Sequence, residues 1–528
     1  MMKFINVILY GKKLYFPKLS VIILLLFVLL FSWVYNFPDT LTIRPQGPHQ
    51  WRQTDCLSIT GRYYYKEADF FHPKIYNLLD DNEGKTVSEF PILYYVVALL
   101  WRVFGKHEWI YRLLNYIFSL IGMIALMKGI ESRIRDSFWS IWIVLLLFSS
   151  GIYAYYTLNF LPNITAFNFV LIGWYFFFRF ESRKKHYLLF ICFFFFLAGG
   201  LLKISSTMSL IAIMIIFLLE WTGLISFKDD GKIFPQPAKV IIPVLLVIAL
   251  LISWYVYAVY YNRTGNSGVF LVGIWPIWVL NMKEIKDIIE QVWEIGIQDY
   301  YYPATQLLLI ILFISMFILI KKTDKLLTVI TLLLGLAFLS FLVLFFYALG
   351  YNNYYLIDLL IFSVFILFTF FEAICKTKGG SVAVNTWMIR ILMVVFLLLN
   401  VIHTKNRLED FYTGWWNNRH LKELYGFEDI EPYLDSLGIT RDQKVISPDE
   451  TTNNSSLYLM NRKGWSGYGT NMKDSLKIVR RIQQGAGWLT LTHDFEGPGY
   501  SHWKYFIKEQ VGQHKNIRIY RIGMPGEK

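Results

Sequence analysis

The chain has 528 residues, 55% hydrophobic and 18% aromatic, with 51 Lys and Arg against 38 Asp and Glu, a formal net charge of +13. Soluble domains hold roughly 45–50% apolar residues, and here the excess sits in blocks long enough to cross a bilayer, which excludes an ordinary soluble protein. The basic residues flank those blocks as cytoplasmic loops do, so the charge is explained without a nucleic-acid partner. Cys56, Cys192 and Cys375 are scattered and define neither a disulfide framework nor a Cys-based metal site.

The N-terminus opens with Lys3, Lys12, Lys13 and Lys18 ahead of "VIILLLFVLLFSWVY". That run is too long for a signal-peptide core, and "SWVYNFPD" offers no small-residue cleavage site, so it reads as an uncleaved anchor. Further spans are expected near 110–128, 137–156, 161–178, 187–202, 204–221, 239–261, 303–320, 326–350, 354–374 and 385–402. The segment Phe90–Gly105 is short and carries Arg102. If it crossed, "RFESRKKH" would fall on the opposite side from the lysine-rich N-terminus. If it lies in the interface, the loops with Arg133 and Arg135, Arg183 to Lys185, Lys228 and Lys232, Lys321 and Lys322, and Lys376 and Lys378 all share the cytoplasmic side. The second arrangement is preferred. It implies about eleven spans, an inside N-terminus, and an extracytoplasmic face that holds the loop 38–109, "NFLPN", Lys203, the loop 262–302, "GYNNYY" and the tail.

After residue 403 the composition changes. "DQKVISPDE" reads as a strand, "SLKIVRRIQQGAGWLTLTHD" as an amphipathic helix, a turn and a strand, and "NIRIYRIG" as a last strand. The expected organisation is a membrane domain over 1–403 and a small extracytoplasmic α/β domain over 404–528, with no phosphate loop or catalytic triad in the tail.

The candidate chemistry lies on the outer face. Asp55, between Arg52 and Arg62, suits a general base acting on an acceptor hydroxyl or amine, and guanidinium groups suit phosphate oxygens. The plainer reading of Arg52 and Asp55, three residues apart, is an ion pair on a helix surface. Glu89 either positions an acceptor or caps the helix that follows it, the cap being preferred. His49, Asp55 and His72 lack the spacing of a helical metal site. Lys203 and Arg112 each either face a functional cavity or snorkel to the headgroups. Asn353, Tyr354 and Tyr355 fit an interfacial aromatic belt, and the tyrosines also carry hydroxyls able to reach a lipid phosphate.

The elements "HQWRQTD", "SEFPILYY" ahead of "FGKHEWIYRLLN", "NFLPNITA" and "LLKISS" resemble the lipid-linked-sugar glycosyltransferases of the GT-C class. The resemblance covers about residues 1–400. The nearest branch is the bacterial one related to protein O-mannosyltransferases and to the aminoarabinose transferase of lipid A. It implies a polytopic α-helical GT-C-like membrane fold in the inner (plasma) membrane. It also implies a polyprenyl-phosphate sugar donor, usually transferred with inversion, and a protein, lipid or glycan acceptor. Asp55 matches the family's catalytic aspartate, with Glu89 beside it. Arg52, Arg112 and Lys203 match its phosphate-contacting basic residues, and Tyr354 or Tyr355 its late tyrosine. His49, Trp51, Arg62 and Asn163 are left to line the acceptor cavity. Relatives often carry Leu-Pro-Asp where this chain has Leu161-Pro162-Asn163, which weakens the case for a divalent cation. From another class, a flippase or transporter of lipid-linked glycans would place its ionisable groups at the midplane, whereas here they gather at the outer rim. A glycan polymerase or ligase shares the donor logic and differs in acceptor.

Overall fold

The computed structural model describes residues 13–229, 231–270, 273–468, 474–492 and 502–526. Lys3 and Lys12 of the basic N-terminal start lie outside the described residues. Each apolar segment anticipated above contains a helix, from Ser20–Val34 and Trp109–Ile134 through to Trp387–Thr413. Among the described residues, six helices are long and apolar enough to cross a membrane, or eight if each of two bent pairs forms one span. The difference from about eleven lies in helices such as Ser20–Val34 and His186–Leu202, apolar but only 15 and 17 residues long, and Asn163–Arg183, whose end carries Arg179, Glu181 and Arg183. The protein is a polytopic α-helical membrane protein with a small C-terminal sheet.

The chain folds into two compact units that do not divide at residue 403. The first comprises 1–41, 112–253 and 273–408. The second comprises 42–111, 254–272 and 409–528. The anticipated boundary falls inside a single helix, Trp387–Thr413, because "HTKNRLEDF" keeps helical backbone after the apolar run has ended.

In the first unit, Arg133 pairs with Glu181 at 3.0 Å and with Asp324 at 2.9 Å, and approaches Glu372 at 3.7 Å. Lys228 also reaches Glu181, at 2.8 Å. The five loops given one side by their basic residues therefore meet at one end of this unit. One span is broken: Ser137–Phe148 and Gly151–Thr157 are bent by 77°. The Asp136 carboxylate caps the first piece, accepting from the amides of Phe138 and Trp139 at 3.0 and 3.2 Å. Gly151 opens the second, where a Cβ would stand 2.7 Å from the Asp299 carbonyl oxygen, so only glycine admits that approach.

The second unit holds the sheet. Strands β1 (Lys444–Ser447), β2 (Gly464–Ser466), β3 (Ala486–Leu491), β4 (Ile507–His514) and β5 (Ile517–Ile522) are ordered β2-β1-β3-β5-β4. β1 runs parallel to β2 and β3, and β5 antiparallel to β3 and β4. The predicted strands at "KVIS" and "IRIY" and the predicted amphipathic helix, now Ser475–Gln483, are present. That helix buries Ile478 in a core with Ile446, Trp465, Leu489 and Trp503. The helix Ile92–Phe104 belongs to the same unit. Its 13 residues span roughly 20 Å, short of the hydrocarbon core. It buries Leu93, Tyr94, Val97, Ala98 and Trp101 while exposing Val103 and Phe104, as an interfacial helix does.

Between Asn262 and Tyr302 the sequence suggested a long loop. Much of it is helical instead: Met282–Gln291 begins with a capping box in which Asn281 and Glu284 satisfy each other's amides.

Candidate active site

The polar stretch after the first apolar segment is a buried helix, Gln50–Tyr64. A helix this polar survives burial because the second unit meets its side chains one by one. Gln50 contacts the His420 ring at 2.7 Å and donates to the Pro45 carbonyl at 2.7 Å. Thr54 faces Ser455 at 3.2 Å, and Ser58 accepts from the Tyr76 amide at 3.2 Å. His49, just before the helix, takes a left-handed backbone at φ 55° and packs its ring against Trp51 and Trp416.

The helix surface pair expected of Arg52 and Asp55 is not formed, since both residues are buried. Asp55 is 0% exposed and is held by two side-chain amides of the tail, Asn454 to Oδ1 at 2.6 Å and Asn453 to Oδ2 at 3.5 Å. Arg52 pairs instead with Glu89, and its guanidinium lies 4.7 Å from the centroid of Phe270. Its Nη1 is buried with no partner among the described residues. Glu89 is therefore not the cap of the next helix. That helix is preceded by Pro91 and has no side-chain cap, while Glu89 accepts from both Arg52 and the Tyr94 hydroxyl.

One cation thus stands between two buried carboxylates, and they respond differently. Burial pushes the Asp55 carboxyl up to about 6, against the pull of Arg52 and of the two asparagines. Burial acts on Glu89 in the same sense, but Arg52 and Tyr94 outweigh it and hold Glu89 below the usual carboxylate range. The arrangement keeps one carboxylate ionised and leaves the other able to exchange a proton near neutrality. Cys56 is no nucleophile here, because burial raises its thiol to about 12. Removing the counter-charge is expected to be severe. Glu89→Ala leaves Arg52 buried and uncompensated, and should lower stability by about 3–5 kcal/mol, read as a fall in melting temperature of the purified protein.

Arg62, expected to line a cavity, is committed to its own loop. It donates to Glu67 and to the Glu83 carbonyl, each at 2.8 Å. Burial would raise Glu67, but Arg441, Arg62 and Lys463 together hold it down at about 2.

The first unit carries the other predicted group. Lys203 sits in extended backbone between His186–Leu202 and the short turn Ile204–Thr207. Its ammonium lies 3.7 Å from the ring centroid of Tyr355 and 5.6 Å from that of Tyr354, a cation–π arrangement that fixes the charge at the break. Asp358, which the sequence reading passed over, anchors the break by accepting from Ser205 at 2.5 Å and Ser206 at 2.6 Å. Beside it an apolar groove of about 340 Å³ is lined by Met208, Ile211, Leu336, Phe341 and Phe345 among others.

Arg112 does not snorkel. It is 0% exposed, donates to the Thr40 carbonyl and lies 4.3 Å from the Phe160 ring centroid. Asn163 begins the helix Asn163–Arg183, buried, and its amide nitrogen has no partner among the described residues. Among the described residues no group of three or more His, Cys, Asp or Glu could hold a metal ion. Asp55 is met by two side-chain amides, with Arg52 and Glu89 acting on it through their charges. Asn453 and Asn454, the residues sequence reasoning missed, left one trace, the polar run "TTNNSS" inside an otherwise alternating tail.

Sequence comparison matches residues 88–230 to the family described as dolichyl-phosphate-mannose-protein mannosyltransferase. No curated protein sequence matches the chain. Among solved structures it is similar to ArnT from Cupriavidus metallidurans in the apo state, with TM-score 0.59, 11% identity, and coverage of 94% of this chain and 97% of that one. The same protein bound to undecaprenyl phosphate gives TM-score 0.58 at the same identity and coverage. The Archaeoglobus fulgidus oligosaccharyltransferase, in complex with Zn and sulfate, gives 0.52 at 11% identity, covering 91% of this chain and 70% of that one. The fold is thus that of the GT-C glycosyltransferases. Within that fold, residues 88–230 carry the match to the mannosyltransferase family model, and the likeness to ArnT extends over 94% of the chain.

Proposed function

We propose that this protein is an integral-membrane glycosyltransferase of the inner membrane, moving a sugar from polyprenyl (undecaprenyl) phosphate to an acceptor on the extracytoplasmic face. The observation that carries the reading is the pair of buried carboxylates around Arg52, with Asp55 poised near neutrality and Glu89 ionised. In the reaction, an acceptor hydroxyl or amine attacks the anomeric carbon from the face opposite the phosphate. The bond from that carbon to the phosphate oxygen breaks, polyprenyl phosphate leaves, and Asp55 takes the acceptor's proton. The product is inverted at the anomeric carbon.

Negative charge grows on the departing phosphate, so fixed cations stabilise the transition state more than the bound donor. Arg52 fits this role through its unpartnered Nη1, a buried donor that a phosphate oxygen would satisfy. Lys203, in the first unit, is by itself a candidate cation for a polyprenyl phosphate, since its ammonium is held by two tyrosine rings beside an apolar groove able to receive a prenyl chain. The bound undecaprenyl phosphate in ArnT supports a donor of this class. The role of Arg112 is structural in this reading, because it is enclosed between Thr40 and Phe160.

The test is to add the purified full chain to envelope extracts of a strain lacking it, and to follow polyprenyl phosphate and acceptor mass together. Release of polyprenyl phosphate with glycosylation of an acceptor is expected; intact lipid-linked sugar moved across the bilayer would make the protein a flippase. Only ionised Asp55 accepts the proton, so turnover should fall about tenfold per pH unit below a midpoint near 6. A rate flat across pH 5–7 would remove Asp55 as base.

A further inference from the structure

The second unit contains a cavity of about 840 Å³, within the range of ligand sites, that none of the predicted site residues lines. Its wall includes Asp80, Arg263, Asn266, Phe270, Tyr468 and Arg481. Two of these connect it to the candidate base. Phe270 underlies the Arg52 guanidinium at 4.7 Å, and the charge of Asp55 acts, after burial, on the Tyr468 phenol. A molecule filling the cavity would therefore lie against the machinery described above.

The lining selects the chemistry of such a molecule. It interleaves amides, hydroxyls and charged groups with Leu79, Val259, Val269 and Trp465, a mixed lining that suits a polar molecule with apolar faces better than an acyl chain. An extended peptide that bound by adding a strand would need a free strand edge. The nearby edge strand β2 is already covered, because Leu78 donates to the Gly464 carbonyl at 2.7 Å and Gly464 to the Tyr76 carbonyl at 3.2 Å. Aromatic faces among amides and hydroxyls suit sugar rings. The charge is unbalanced as well. Arg481 is spent on Asp80 at 2.6 Å, whereas the Arg263 guanidinium is exposed and has no hydrogen bond or ion pair among the described residues.

We infer that this cavity is the acceptor subsite and that the acceptor is a saccharide bearing an acidic substituent, which Arg263 receives as a paired donor. The inference rests on the transferase reading, since it names the acceptor class of that reaction. Anionic glycans then bind without any donor present, and the hydroxyl to be glycosylated faces Asp55.

The experiment uses the full chain in nanodiscs on an array of uronate-, sialate- and phosphate-substituted oligosaccharides with their neutral counterparts. Acidic glycans should be retained about tenfold over neutral ones, the worth of one charge-assisted contact. Arg263→Ala should abolish that preference, and Arg263→Lys should keep part of it. Equal binding of neutral glycans, no glycan binding, or an Arg263→Ala pattern like that of the wild type would each overturn the inference. Release of polyprenyl phosphate, measured on the same preparation, separates the two claims. Release without glycan binding rejects the subsite alone, while selective glycan binding without release rejects the transferase reading and with it the acceptor role.

Discussion

Asp55→Asn is expected to lower turnover by about 100- to 10,000-fold, the usual worth of a positioned base, while the protein stays folded and still binds its donor. The substitution keeps the volume of a side chain that is 0% exposed, removes its charge and its ability to take a proton, and keeps one oxygen to accept from Asn454. Stability should respond in the opposite direction to activity. The folded state raises the Asp55 carboxyl from 3.8 to about 6, so the native protein binds this proton more tightly than the unfolded chain does. The stability from that proton is complete below pH 3.8 and is lost as pH rises through the folded value near 6. At neutral pH the buried charge costs on the order of 3 kcal/mol. Asparagine carries no such charge, and its melting temperature at pH 7.5 should match or exceed that of the wild type, with a flatter dependence between pH 4 and 6. A variant that melts lower and turns over normally would make Asp55 a structural residue held by Asn453 and Asn454.

Lys203→Ala should raise the donor KM by about 10- to 100-fold, the equivalent of one charge-assisted bond of roughly 1.5–3 kcal/mol. Turnover should fall as well, because the charge on the phosphate is greater in the transition state than in the bound donor. The tyrosine rings are what make this lysine specific. At 3.7 Å from Tyr355 the ammonium is held in place with no ion pair among the described residues, the nearby Asp358 being engaged by Ser205 and Ser206. Tyr355→Phe keeps the ring and should leave donor affinity within a few-fold of normal, whereas Tyr355→Ala should mimic part of the Lys203→Ala loss. Titration of purified protein with polyprenyl phosphate measures both. Unchanged affinity in Lys203→Ala would take this residue out of the phosphate site.

Much of this was legible in linear order. Membrane helices announce themselves because a bilayer demands long unbroken apolar runs, and the basic loops marked which ends belong together, as Arg133 confirms through Glu181 and Asp324. Alternation exposed β1 and β5, and a 3.6-residue pattern exposed the helix Ser475–Gln483. β2 was not legible, since three residues beginning with glycine have no period to read. The loop 38–109 hid a helix for a related reason. Gln50–Tyr64 buries polar side chains all round, so it lacks the apolar stripe by which a helix is recognised.

The candidate site residues divide in the same way. Asp55, Arg52 and Glu89 were visible as charged residues in a polar loop of a membrane chain, and Lys203 as a charge between two apolar runs, because ionisable groups beside a bilayer are costly to keep. Their partners were not visible. Whether Arg52 neutralises Asp55 or Glu89 is settled by which carboxylate the fold brings to its guanidinium, and the choice fell on a residue 37 positions away. Asp55 takes its raised proton affinity from the complete exclusion of water, which outweighs the opposing pull of Arg52 and of Asn453 and Asn454, some 400 residues along the chain. A side chain's charge is written in its own chemistry. Its proton affinity and its pairing depend on solvent exclusion and on distance, which exist only once the chain has folded.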